Sequence, residues 1–209
     1  DTRFVPFGHR ASLGRLTRDD LATFDDALAD RIARDALLYD GEGCLSLHAL
    51  FVDAAAPELE RVATMLGAAC ERVALEFPGG VRDAHVSART AAYRNLSAFR
   101  AAAGGGAVVR GADAVLVIDP PADDGPPFLP RVLPVHGGDD DALARYVERL
   151  RLPVQALGVA ASAPAAIALA ARIGAVRVAP FGTMQTPPAA GHHGGRPRIA
   201  DFVRWIDAA

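Results

Sequence analysis

Lysine is missing from this sequence: all 22 of its basic residues are arginine. That removes Walker-type phosphate loops, Schiff-base amines and kinase-type lysines from these residues. Cysteine is scarce too. Cys44 and Cys70 are the two present, and no CxxC pair occurs, so a structural zinc site lacks its ligands. With no sign of secretion, a reduced, cytoplasmic setting is expected. No apolar run approaches the ~20 residues of a membrane span, and no signal peptide is visible. No GxGxxG fingerprint occurs. Gly104-Gly105-Gly106 ends a predicted helix instead of opening one, so it is not a dinucleotide cradle. A net charge of −3 gives no hint of a nucleic-acid partner.

What is present suits a globular protein. The chain has 209 residues, 51% hydrophobic and 22% charged, enough for one large domain with a real core. Leu21, Phe24, Leu28 and Ile32 recur at helical spacing, which predicts one helix over residues 18–39 with Thr17 as N-cap and Asp19 and Asp20 in its first turn. A loop over 40–44 and a strand over 47–52 follow. A second helix opens at Pro57 and buries Leu59, Val62, Leu66, Cys70 and Val73. A third spans 84–103, and short strands are expected at 108–109 and 114–118. Residues 119–130 hold five prolines and read as a surface loop.

Beyond that loop the pattern alternates. Strands at 131–135, 154–160 and 176–179 are separated by helices at 139–150 and 163–173. Such alternation predicts a mainly parallel sheet covered by helices, a three-layer α/β sandwich. A Gly/Pro/His-rich loop over 181–197 and a helix ending near Ile206 complete the chain. The chain starts at Asp1 and not at Met, and its first residues read as the middle of a fold, so an upstream portion is expected.

Cys44 stands out by its surroundings. Gly41 and Gly43 clear side chains from around the sulfur, so a carbonyl can approach the thiol and a backbone N–H can meet an oxyanion. The thiolate is the reactive form. The alternative is a small buried hydrophobe, the common role of a lone cysteine. Cys70 falls on an apolar helix face and reads as core. His85 and His136 read as surface residues, and His48 is left without a role.

Three stretches narrow the reading. Asp40-Gly41-Glu42-Gly43-Cys44-Leu45-Ser46-Leu47-His48 resembles the nucleophile loop of the LuxC-type acyl-CoA reductases, members of the aldehyde dehydrogenase superfamily. Phe7-Gly8-His9-Arg10-Ala11-Ser12 resembles that family's "GHR-x-S" segment. Residues 177–188 with His192-His193-Gly194-Gly195-Arg196-Pro197 resemble its "PxGxMQxPP…HHDGRP" segment. The sequence departs where the family usually has Pro (Leu47), Trp (Gly191) and Asp (Gly194).

The resemblance implies an aldehyde-dehydrogenase-like catalytic domain over 18–179. Residues 1–17 would be a junction from an N-terminal cofactor domain, and 180–209 a segment packing at that junction. It implies that the Cys44 thiolate attacks a fatty acyl-CoA or acyl-protein thioester. The S-acyl enzyme would then be reduced to an aldehyde by NADPH, bound mostly outside these residues. The superfamily's oxyanion asparagine would lie upstream of Asp1, since Asn95 is the only asparagine here.

His9 precedes Cys44 by about as much as the glutamate base does in hydrolytic relatives. A histidine there either exchanges protons with the thiol or the thiohemiacetal oxygen, or orders the turn over 8–12. His192 and His193 lack a third metal ligand. Arg196 could meet a phosphate or carboxylate, or belong to a packed connection. A homo-oligomer is compatible with the superfamily. Two readings compete with the enzyme: a non-catalytic truncated relative serving in assembly with partner proteins, which Gly191 and Gly194 favour, and a cysteine hydrolase, for which no His and Asp/Asn spacing fits.

Overall fold

The computed structural model describes residues 8–104, 106–110, 114–120, 123–197 and 206. Seven strands form one sheet: β1 (Ala11–Leu16), β2 (Leu47–Val52), β3 (Ala107–Arg110), β4 (Val115–Ile118), β5 (Val132–Gly137), β6 (Val154–Val159) and β7 (Val178–Pro180). Their order is β3-β4-β5-β2-β1-β6-β7. Every neighbouring pair is parallel except β3 with β4. The helices are α1 (Arg18–Ala22), α2 (Asp26–Leu37), α3 (Ala56–Glu76), α4 (Ala84–Ala102), α5 (Asp140–Leu150) and α6 (Pro164–Arg172).

The sheet is buried on both sides, as a parallel sheet must be when crossovers place helices on its faces. Ile32 of α2 and Leu66 of α3 share a core with Leu16, Leu50, Val52 and Val135. Leu143 of α5 and Leu169 of α6 share a second core with Leu13, Ala49, Phe51 and Leu157. Alternate residues of one strand thus serve opposite cores. The three-layer α/β sandwich expected from the sequence is present.

The strand β1, beside the central β2, is absent from the sequence reading, for a physical reason. Its apolar run is broken by Gly14 and Arg15. A Cβ on Gly14 would stand 2.8 Å from the side chains of Leu47 and Leu50, which would have to shift to admit it. Arg15 is buried, and its guanidinium bonds to the carboxylate of Asp140 and approaches that of Asp53 at 3.7 Å. Both residues look like loop and behave as core.

The single helix expected over 18–39 is two helices. α1 keeps Thr17 as cap, in a reciprocal box with Asp20. Asp25 then restarts the chain by capping α2, its carboxylate accepting from Leu28 N–H at 2.8 Å. The apolar stripe runs through the break, which is why periodicity alone reads it as continuous: Leu21, Phe24, Leu28 and Ile32 are all buried. His136 also differs from expectation. It is buried on β5, stacked on Phe51 at 4.7 Å, and burial pushes its pKa down to about 4. Cys70 is core as expected, with its thiol pushed up to about 12 by burial. The helix expected near Ile206 lies almost wholly outside the described residues.

Candidate active site

The chain leaves α2 through a tight 3-10 turn, Leu38–Gly41, and three successive residues are left-handed: Tyr39 (φ 54°), Asp40 (φ 55°) and Gly41 (φ 76°). For Tyr39 and Asp40 this is an uncommon conformation that needs support from elsewhere. Support comes through Asp40. Its carboxylate accepts from Arg131 Nε at 2.6 Å and from Gly80 N–H at 2.9 Å, and its carbonyl accepts from Arg131 N–H at 2.9 Å. The Arg131 side chain is 2% exposed and also donates to the Phe77 carbonyl. Burial alone would raise the Asp40 carboxyl. The Arg131 and Gly80 hydrogen bonds outweigh it and hold the carboxyl below its ordinary value. A Cβ on Gly41 would lie 2.8 Å from the Ala36 carbonyl, so the turn demands glycine twice over.

The turn delivers Cys44 to the surface, exposed, just ahead of β2. The Cys44 carbonyl accepts from Ser12 Oγ at 2.8 Å, tying the loop to β1. Beneath the loop, Gln185 donates to the carbonyls of Asp35 and Leu38, both at 3.1 Å, closing the end of α2. The Asp35 carboxylate accepts from Gly182 N–H at 2.6 Å and Met184 N–H at 3.2 Å, and Phe181 and Met184 are buried. The 181–185 stretch is therefore the floor of the Cys44 loop, a role that sequence reading missed.

Burial pushes Asp35 up to about 6, against its two backbone N–H donors and the Arg177 charge. A carboxyl raised in the folded state contributes stability that is full below the unfolded pKa of 3.8 and lost as pH rises through 6. His48 and His136, both lowered to about 4, act oppositely and lose stability as pH falls from 6.5 to 4. Asp35→Asn removes the opposing group, so stability should fall more steeply with acid between pH ~6 and ~4, by about 1.4 kcal/mol per pH unit. Urea unfolding at several pH values reads that slope; an unchanged slope would mean Asp35 is ionised throughout.

Cys44 opens into a cleft lined by Gly8, Arg10, Gln155, His193, Gly194 and Arg196. Gly8 and Arg10 precede β1, Cys44 precedes β2, and Gln155 lies near the start of β6, so the cleft sits at the N-terminal edge of the parallel sheet. His9 shares that edge but is not among the lining residues. Its exposed ring meets Phe128 edge-on at 4.6 Å. The same Phe128 ring lies 5.0 Å from His48. His48 is buried, and its Nδ1 accepts from Ser12 N–H at 3.0 Å, which places the ring proton on Nε2. Burial first, and the His9 charge second, keep His48 neutral at pH 7. Among the described residues no three His, Cys, Asp or Glu side chains could hold a metal ion. None of the helices is long and apolar enough to cross a membrane, again among the described residues.

Arg10 and Gln155 were not singled out from sequence. Arg10 did carry a signal, as the arginine of the "GHR-x-S" segment, but was given no role. Gln155 did carry a signal: it is one polar residue inside the apolar run from Val154 to Val159.

A sequence model described as Acyl-CoA reductase (LuxC) matches residues 1–205. The chain belongs to this family. The three stretches that resembled it converge in space, since the LuxC-family cleft takes Gly8 and Arg10 from the first, Cys44 from the second, and His193, Gly194 and Arg196 from the third. Two departures from the family pattern are mild in structure. Gly194 has φ 57°, a conformation aspartate also visits, and Leu47 is simply buried.

Solved structures with the same fold include aldehyde dehydrogenases. A putative methylmalonate-semialdehyde dehydrogenase from Sinorhizobium meliloti 1021, solved with NAD, superposes at TM-score 0.63 with 15% identity, over 88% of this chain and 41% of its own. An NAD-dependent aldehyde dehydrogenase from Burkholderia multivorans gives 0.57 and 17%, over 85% and 36%. An oxidoreductase from Marinobacter aquaeolei gives 0.59 and 14%, over 87% and 40%. The LuxC-family chain thus spans about 40% of the length of these neighbours. No curated protein sequence matches it.

Proposed function

We propose that this chain carries the acylation centre of an acyl-CoA reductase, with Cys44 as nucleophile. The observation that carries the reading is that an exposed cysteine, held by a pinned left-handed turn, opens into a cleft built from all three family segments. The Cys44 sulfur attacks the carbonyl carbon of a fatty acyl-CoA or acyl-protein thioester. The new C–S bond forms first, the old one breaks as the carbonyl re-forms, and the departing thiolate takes up the proton Cys44 gave away. His9, exposed and flanked by two lining residues, is the candidate to exchange a proton with the substrate oxygen.

A nicotinamide nucleotide, NADPH in the family resemblance, supplies the hydride that turns the S-acyl group into an aldehyde. The described residues do not fit the pyrophosphate of such a dinucleotide. Thr17, Asp25, Asp83 and Asp139 close four helix N-termini with their own side chains. The other two open from Ala55 and Ala163, with proline in the first turn. What this chain supplies is the thiol, its approach and its support, so NADPH would be held mostly outside it.

The test is intact-mass analysis of the protein after incubation with a long-chain acyl-CoA near pH 8. One hydroxylamine-sensitive adduct is expected on Cys44, retained in Cys70→Ala. Labelling of Cys70, or no label on the full chain, defeats the reading.

A further inference from the structure

Both neighbours of β1 are irregular at the same height. On one side Ser12 pairs with Leu47 and Leu13 with Ala49, which leaves His48 without a partner. On the other Ala11 pairs with Val154 and Ser12 with Ala156, which leaves Gln155 without one. An extra residue in one strand bends it and re-aims a side chain. Such bulges are rare between parallel strands and gather beside active sites. His48 uses its extra position to take the Ser12 N–H.

Gln155 uses its position differently. It is 7% exposed, yet it lines the Cys44 cleft. No hydrogen bond to its side-chain amide is found among the described residues, and its amide atoms are not among the sealed, orphaned ones. A buried primary amide without a partner is costly unless something else satisfies it. The surrounding residues Val154, Ala156 and Leu157 show that an apolar side chain would suit the strand. A neutral donor open to a cleft that holds a thiol points to a ligand oxygen, bonded only when the ligand is bound.

We propose that the Gln155 side-chain N–H donates to the acyl carbonyl oxygen while Cys44 attacks. This rests on the reading of Cys44 as the acylated residue. As the S–C bond forms, the carbonyl π pair moves onto oxygen, and the Gln155 donor stabilises that charge. The pair returns as the bond to the CoA sulfur breaks. A neutral amide suits this task, because its hydrogen bond to the oxygen strengthens as negative charge develops there.

The experiment compares two reactions of one thiol in the full chain, in Gln155→Met and in Gln155→Glu. The first reaction is acylation by a long-chain acyl-CoA, followed by mass. The second is alkylation by iodoacetamide, in which carbon displaces iodide and no oxyanion develops. Loss of one oxyanion donor costs about 10²–10³ in rate. In Gln155→Met acylation should fall by about that factor, with alkylation within about twofold of the parent. In Gln155→Glu both reactions should slow, because the new carboxylate disfavours the thiolate, and acylation should fall further than alkylation. Equal loss of both reactions would make Gln155 a structural prop and overturn the proposal. Undiminished acylation in Gln155→Met would overturn it as well. Absence of acylation in the parent itself would instead sink the reading of Cys44, and this proposal with it.

Discussion

Replacing Cys44 by serine should abolish aldehyde formation from acyl-CoA, with a fall on the order of 10³ or more in turnover. The substitution is nearly isosteric at an exposed position, so folding should be unaffected. The chemistry changes because a hydroxyl is scarcely ionised at neutral pH, whereas a thiol is partly thiolate. No base is bonded to the Cys44 sulfur to activate an oxygen in its place, among the described residues. The measurement is aldehyde production with NADPH by this chain joined to the residues that hold the nucleotide, beside the thermal unfolding midpoint. Retained turnover in Cys44→Ser would mean that the acyl group never resides on this residue.

Arg131→Met should produce the largest loss of stability, about 3–5 kcal/mol, and toward the lower end because Asp40 keeps one-fifth of its side chain in contact with water. Methionine fills much of the same volume. It leaves the Asp40 carboxylate and the Phe77 carbonyl without the guanidinium that donates to both. The stretch Tyr39-Asp40-Gly41 loses the partner that holds it in the left-handed region, so the loss should reach Cys44 as slower acylation. Urea unfolding gives the first effect and acyl-CoA labelling the second. Asp40→Asn combined with Arg131→Met should recover part of the stability, because it removes the unpaired charge. If the double variant is no better than Arg131→Met, the ion pair is not what holds the turn.

Much of this fold was legible because periodicity reports burial. β2 occurs at its predicted bounds, and α4 and α5 end within a residue of theirs. Two of the failures share one cause: residues that look polar or breaking in sequence and are satisfied by partners remote in sequence. Arg15 hides β1 because its partners, Asp53 and Asp140, lie on other elements. His136 reads as surface until Phe51 and Tyr146 are seen against its ring. At the site, Cys44 was legible from its glycines and its resemblance. The bulge that admits Gln155 was not, since register is a property of two strands and not of one.

Ser12 carries one more implication. A backbone amide in a sheet normally finds a carbonyl, which every residue provides. Here the acceptor is the His48 imidazole, so one rung of the central ladder is encoded by a side chain and can be deleted by mutation. Asparagine, aspartate or histidine could offer an acceptor at that position; leucine or valine could not. Selection on residue 48 therefore acts through folding whether or not the imidazole ever meets a substrate. A relative that had lost Cys44 and its chemistry would still be expected to keep an acceptor there.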